Sequence, residues 1–464
     1  MIAPVKQASA YVTKIGILPF WLALMSAMIP MIGSLAGINL YHLPAYLLLG
    51  VLLITKLARN DFRIIFCRQL NWAIILMPLL LTIQMVTGRG FVILGAGGYV
   101  FIFAIFFYDL FLAGNISIVI VIRRISLIYK FFITGLIFEV ILIVFGQQPL
   151  LAAIFKSSDV LGYKAYNQAD VLRMLGVFQD AGGLNSVLLG SQIAGMLSLF
   201  AVIWFFFVMK SGAEKMVVSH PGLWLVLSLV MLLVTVNGTV FLMAAIAITI
   251  YLFFIKKQQR FSMFVLIGLL FSCLGALVFQ GYLFNRVFSN EIALTENQLQ
   301  VFAQYGLVQE LQGISVLGYY FFMFLNPIHI WLSVGWADKL LGVGAHFFLS
   351  DQVFISGDFG FAVDVLLKSG LVWAVTFLTI VLVICSSSLK LVTAGTKDLQ
   401  LWFGVGSVNA LISLLWLFST LHYGQALQNP GGIVLFALHL ALVMYCHRRS
   451  RELRVSRSVC AQRE

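Results

Sequence analysis

The stretch Asp170 to Leu189, DVLRMLGVFQDAGGLNSVLL, gathers Arg173, Asp180 and Asn185 into a short polar run broken by Gly176, Gly182 and Gly183, set against a long apolar segment. Arginine is permanently charged, planar and able to grip phosphate through two parallel hydrogen bonds. Glycines allow close backbone approach of a ligand, and Asn185 stands where it can cap the following helix. A helix N-terminus with an arginine beside it is a ready anion site. Asp180 can hold Arg173 in place or accept from a sugar hydroxyl. The plainer alternative is a capped helix start behind a solvated loop.

Such a site has to be positioned by a scaffold, and the composition says which kind. Of 464 residues, 61% are hydrophobic and 10% charged, with mean hydropathy +1.03. Soluble domains carry about 25% charged residues, so a soluble protein is excluded. Apolar runs long enough to cross hydrocarbon recur from end to end, which implies an all-α, polytopic bundle of membrane helices. We read spans near 15–36, 41–56, 71–87, 91–113, 118–147, 184–209, 221–237, 238–255, 261–283, 359–385, 400–421 and 431–446, about twelve in all. Met1 to Gly16 leads into a full span without a cleavage pattern, so the first span is expected to stay as an anchor.

Charge orients these spans. The net charge of +12 sits in clusters between spans: Lys6 and Lys14; Lys56, Arg59, Arg63 and Arg68; Arg123, Arg124 and Lys130; Lys210 and Lys215; Lys256, Lys257 and Arg260; Lys390 and Lys397; and a tail with Arg448, Arg449, Arg451, Arg454 and Arg457. All fall on one side, the positive-inside pattern, which places both termini in the cytoplasm and speaks against nucleic acid as a partner. The cysteines Cys67, Cys273, Cys385, Cys446 and Cys460 lack metal-ligand spacing and fall in spans or on the cytoplasmic side, so neither a zinc site nor a disulfide framework is expected.

The expected organisation is an N-terminal bundle of about five spans over 1–147, a first large outer loop over 148–183, central helices over 184–283, a second large outer loop over 284–358, C-terminal helices over 359–446, and a basic tail over 447–464. Loops of that size are usually functional. The second contains GISVLGYYFFMFLNPIHIWLSVGW, whose Tyr319, Tyr320, Trp331 and Trp336 suit an interfacial or re-entrant helix pair. The span at 118–147 opens with Ile118 to Ile122 before Arg123 and Arg124, so its first part is expected at the cytoplasmic surface.

In this topology the outer basic residues are Arg89, Lys156, Lys164, Arg173, Arg286 and Lys339. Each is a candidate ligand group or a side chain that snorkels to headgroups, the plainer reading for Arg89. His346, two residues beyond Gly344, and Asp358, just before the next span, are the candidate proton-transfer groups. His329 and His422 are rivals, His422 lying beside Tyr423 and Asn429; a structural histidine is the ordinary alternative for each. Asp364 and Lys368, four apart, are expected to share a helix face and pair; Glu139 stands alone in its span. Intramembrane charges of this kind keep a transporter open as an alternative.

The order of these features resembles the O-antigen polymerase and ligase superfamily, the Wzy-type polymerases and the lipid A-core ligases. The resemblance rests on Arg173, Gly176 and Phe178 in an R-x-x-G-x-F pattern followed by Asn185, on Gly342-Val343-Gly344 ending the large loop, on the polar pair position Gly357-Asp358, and on Gly370-Leu371 within the next helix. It covers 170–385 in detail and the whole chain in layout. Two departures stand out: no arginine lies near Val236-Asn237-Gly238, where the family often has one, and Gly357-Asp358 replaces the ligases' His-Asn pair. The resemblance implies a GT-C-like membrane glycosyltransferase in the bacterial inner membrane that joins undecaprenyl-diphosphate-linked repeat units for O-antigen, capsule or exopolysaccharide. Arg173 and Arg286, with Asp180, Asn185 and His422, would bind diphosphate and sugar; His346 or Asp358 would act as base. No metal and no cofactor is expected. A chain-length regulator and a flippase are the expected protein partners. A ligase and a transporter or flippase remain the alternatives.

Overall fold

Backbone N–H and C=O groups have no water to bond in hydrocarbon, so an apolar chain satisfies them within helices. In the computed structural model the described residues are 15–25, 71–90, 97–144, 190–212, 218–234, 238–251, 330–344, 361–389, 397–422 and 430–461, with isolated positions at 50, 54, 93 and 328. Among them there is no strand. The helices are α1 (Ile15–Met25), α2 (Asn71–Val86), α3 (Tyr99–Gly114), α4 (Ile118–Val144), α5 (Gly190–Ser211), α6 (Pro221–Val234), α7 (Gly238–Ile250), α8 (Trp336–Leu341), a π-helical segment (Phe361–Leu367), α9 (Gly370–Ser386), α10 (Lys397–His422) and α11 (Pro430–Ala461). Three stretches, Ala194–Ser211 in α5, Lys397–Thr420 in α10 and Gly432–Val455 in α11, are long and apolar enough to cross a membrane.

The centre of the bundle is α11 with α10 and α3 against it, and α4, α5 and α9 around them. From Ile433 to Cys446, α11 is buried on every side, as an apolar helix without a polar face must be. Small residues bring α10 and α11 close: a methyl on Gly406 would stand 3.2 Å from the Cys446 Cβ, and Ala410, Ala437 and Ala441 are fully buried. This is how helices associate where lipid competes with apolar side chains and tight contact has to supply the attraction. The outer helices turn apolar residues outward instead. On α6, Leu223, Val226, Val230 and Leu233 form an exposed stripe, and on α4 Leu127, Phe131 and Phe138 do the same. Such faces fit lipid.

α9 separates two ends of the molecule, since its 17 residues span about 25 Å at the helical rise. At its first residue it meets the 340–344 backbone. At its far end Ser388 O accepts from Ser407 Oγ at 2.6 Å, next to Cys446 and Gly406. That second end also holds the arginines of α11. The Tyr445 hydroxyl donates to Ile116 O at 3.0 Å, Arg449 donates to Asn115 Oδ1, and both Arg448 and Arg449 pair with Glu452. Arg454 lies over the Phe403 ring at 4.6 Å. Thus the 115–118 turn and the C-terminal arginines share one end.

Ile116, just before α4, meets Tyr445, and Tyr129 on α4 meets His439. Lys130 on α4 donates to Ser219 O at 3.2 Å and lies 5.1 Å from the centroid of the Trp224 ring.

α11 continues unbroken past Cys446, so the basic tail expected over 447–464 is helical as far as Ala461. One expectation is corrected. The span at 359–385 is not one helix: it is π-helical over Phe361–Leu367, turns at Lys368 and Ser369, and restarts at Gly370 with φ +85. The expected pairing of Asp364 with Lys368 assumed one α-helical face, and Lys368 lies in the turn beyond the π-helical segment. The Asp364 and Glu139 side chains lie outside the described residues.

Candidate functional site

Of the residues singled out by sequence, Arg173, Asp180, Asn185, Arg286, His346 and Asp358 lie outside the described residues, as do His329 and the first outer loop. His422 is the last residue of α10, its side chain likewise outside. Four of the motif residues are described: Gly342, Gly344, Gly370 and Leu371.

The three glycines meet. Val343 N–H donates to Leu367 O at 3.0 Å and Gly344 N–H to Lys368 O at 3.1 Å, while Gly342 N–H closes α8 on Asp338 O at 2.8 Å. The backbones are too close for side chains. A methyl on Gly342 would overlap the Lys368 carbonyl, one on Gly370 would overlap Leu340 O and Gly342 N, and one on Gly344 would stand 2.7 Å from Arg89 O. All three have positive φ, between +85 and +86. A left-handed backbone and the absence of a Cβ are both required, so only glycine fits. The knot joins residues 340–344 to the start of α9, and the chain leaves the described residues at Gly344 and re-enters them at Phe361.

Arg89 belongs to this knot. α2 ends in a Schellman turn: Gly88, at φ +72, donates to Met85 O at 3.0 Å and Arg89 N–H donates to Gln84 O at 2.7 Å. The turn sets Arg89 across from α8, where its Nη2 meets Asp338 Oδ1 at 2.6 Å, with side chains 15% and 38% exposed respectively. The headgroup-snorkelling reading of Arg89 gives way to this ion pair. Gln84, fully buried, donates from Nε2 to Leu341 O at 2.8 Å. Beyond the pair, Lys339 Nζ lies 5.0 Å from the centroid of the exposed Trp336 ring, and Trp331 Nε1 donates to Lys339 O.

A second polar cluster, which sequence reasoning missed, lies inside the bundle. His439 on α11 is between Tyr129 on α4, whose hydroxyl is 3.0 Å from Nε2, and Asn409 on α10, whose Oδ1 is 2.7 Å from Nδ1. Asn409 Nδ2 donates to Val405 O at 2.8 Å, which turns Oδ1 towards the ring. Nδ1 must then carry the proton, and Nε2 accepts from Tyr129. Beside it Trp204 Nε1 donates to Ser126 Oγ at 2.9 Å. Trp416 Nε1 has no hydrogen-bond partner among the described residues, and its ring packs against those of Phe200 and Phe436. The signal was present: His439 and Asn409 are polar residues within spans read as apolar, and such residues need partners.

Among the described residues, no group of His, Cys, Asp and Glu side chains is placed to hold a metal ion. No protein-family model, curated protein or solved structure matches this chain.

Proposed function

We propose that this chain is a GT-C-type polysaccharide polymerase of about twelve spans. It would join undecaprenyl-diphosphate-linked repeat units at the outer face of the bacterial inner membrane, with both termini in the cytoplasm. The observation that carries the reading is the convergence of Gly342, Gly344 and Gly370, motif positions named by the resemblance, in one backbone knot. An end of the molecule opposite the arginine-rich one suits a site that faces away from the cytoplasm. In the reaction, an acceptor sugar hydroxyl attacks the anomeric carbon while its bond to the diphosphate breaks. Arg173 and Arg286 take up the charge on the departing diphosphate, and His346 or Asp358 receives the hydroxyl proton. The isoprenoid chain lies along the apolar faces of the bundle.

The buried cluster at His439 does not favour a carrier, because its protons are already committed in one direction. A polymerase and a ligase part in what accumulates: lipid-linked single repeats in the first case, full-length unligated polymer in the second. The deciding experiment is Arg173→Ala in cells whose polysaccharide depends on this chain. Long chains should disappear and single lipid-linked repeats accumulate at unchanged protein level; normal chain lengths would remove the proposal.

A further inference from the structure

Around the Arg89–Asp338 pair some hydrogen-bonding capacity is not used by the described residues. Because Gln84 Nε2 is committed to Leu341 O, its buried Oε1 is left without a partner among the described residues. Buried polar atoms in native proteins are nearly always satisfied, and an exception calls for something that satisfies it. Arg89 presents a planar fork of donors, of which Nη2 meets Asp338. The pair is partly open to solvent, so its partners can exchange; a partly exposed ion pair holds its members weakly.

The backbone of Arg89 is held from both sides, by the Schellman turn beneath it and by Gly344 above it. An anion arriving there finds the cation already in place and does not have to order it. In the polymerase reading Arg173 and Arg286 grip the diphosphate, and Arg89 would add a third cation to them.

Building on the polymerase reading above, we infer that Arg89 is a binding residue for the lipid-linked diphosphate: its guanidinium passes from Asp338 to a phosphate oxygen when the ligand arrives. Asp338 thus competes with the ligand for the same fork. A merely structural ion pair makes a different prediction, since removing either member of it should have the same consequence. Here the two members act in opposite senses.

The test is binding of undecaprenyl diphosphate to the full chain in lipid nanodiscs. The wild-type chain should bind saturably, and Arg89→Ala should weaken binding by at least about tenfold, the usual scale for losing a charge-assisted hydrogen bond. Asp338→Asn, which keeps the shape and removes the competing charge, should bind as tightly as wild type or tighter. Arg89→Lys serves where Arg89→Ala does not fold: it keeps the charge, loses the fork, and should still bind more weakly than wild type. If Asp338→Asn weakens binding in parallel with the Arg89 variants, or if neither Arg89 variant weakens it, the inference falls while the polymerase reading stands on its own Arg173 test. If the wild-type chain does not bind the diphosphate, both fall.

Discussion

The cluster at His439 and the cluster at Arg89 are both polar groups in an apolar molecule, and they are built in opposite ways. At His439 the hydrogens run in one sequence, from Tyr129 to the imidazole, from the imidazole to Asn409, and from Asn409 to Val405 O. Each member of that sequence has its partner, and the cluster ties α4, α10 and α11 together. At Arg89 the backbone is held on both sides, but the buried Gln84 Oε1 has no partner among the described residues and the guanidinium is engaged by a partly exposed carboxylate. A completed network is glue between helices; an incomplete one on a rigid backbone is a place for a ligand.

The sharpest way to break this contrast is at the knot itself. Gly370→Ala would put a methyl against Leu340 O and Gly342 N at φ +85. Backbone atoms cannot step aside as a side chain can, so the substitution should cost about 4 kcal/mol, read as a loss of monodisperse protein after detergent extraction. His439→Ala comes next. It empties the space beside Phe200 and strands Tyr129 and Asn409, at a cost of about 3 kcal/mol in equilibrium unfolding of the full chain in mixed micelles. Undiminished stability there would mean that the His439 cluster is not the glue described. Gly88→Ala is the mildest. Gly88 shares the positive φ of the knot, but a methyl placed on it would meet no atom within 4 Å, so only the conformational strain of about 1 kcal/mol remains. A larger loss would show that the Schellman turn under Arg89 tolerates less than its open surroundings suggest.

Much of the scaffold was legible because hydrocarbon imposes one rule on every span. The reading of 400–421 corresponds to Lys397–His422, that of 184–209 to Gly190–Ser211 and that of 71–87 to Asn71–Val86. The break at Gly370 was not legible, since a largely apolar run containing glycine reads the same whether or not it is interrupted. The helical course of the tail was hidden for the opposite reason: clustered arginines read as a topology signal, while their pairing with Glu452 and stacking on Phe403 depend on neighbours. As for the candidate site, the glycines stood out in the sequence, but what they touch did not.

The sequence by itself determined that this chain is helical and apolar, because those properties follow from composition and local spacing. Only the tertiary structure decided that Arg89 meets Asp338 across 249 positions, that Gly342, Gly344 and Gly370 share one knot, and that His439 finds Tyr129 and Asn409. Each of those contacts joins residues far apart in the chain, and nothing in local spacing encodes which distant groups the packing of helices will bring within hydrogen-bond reach.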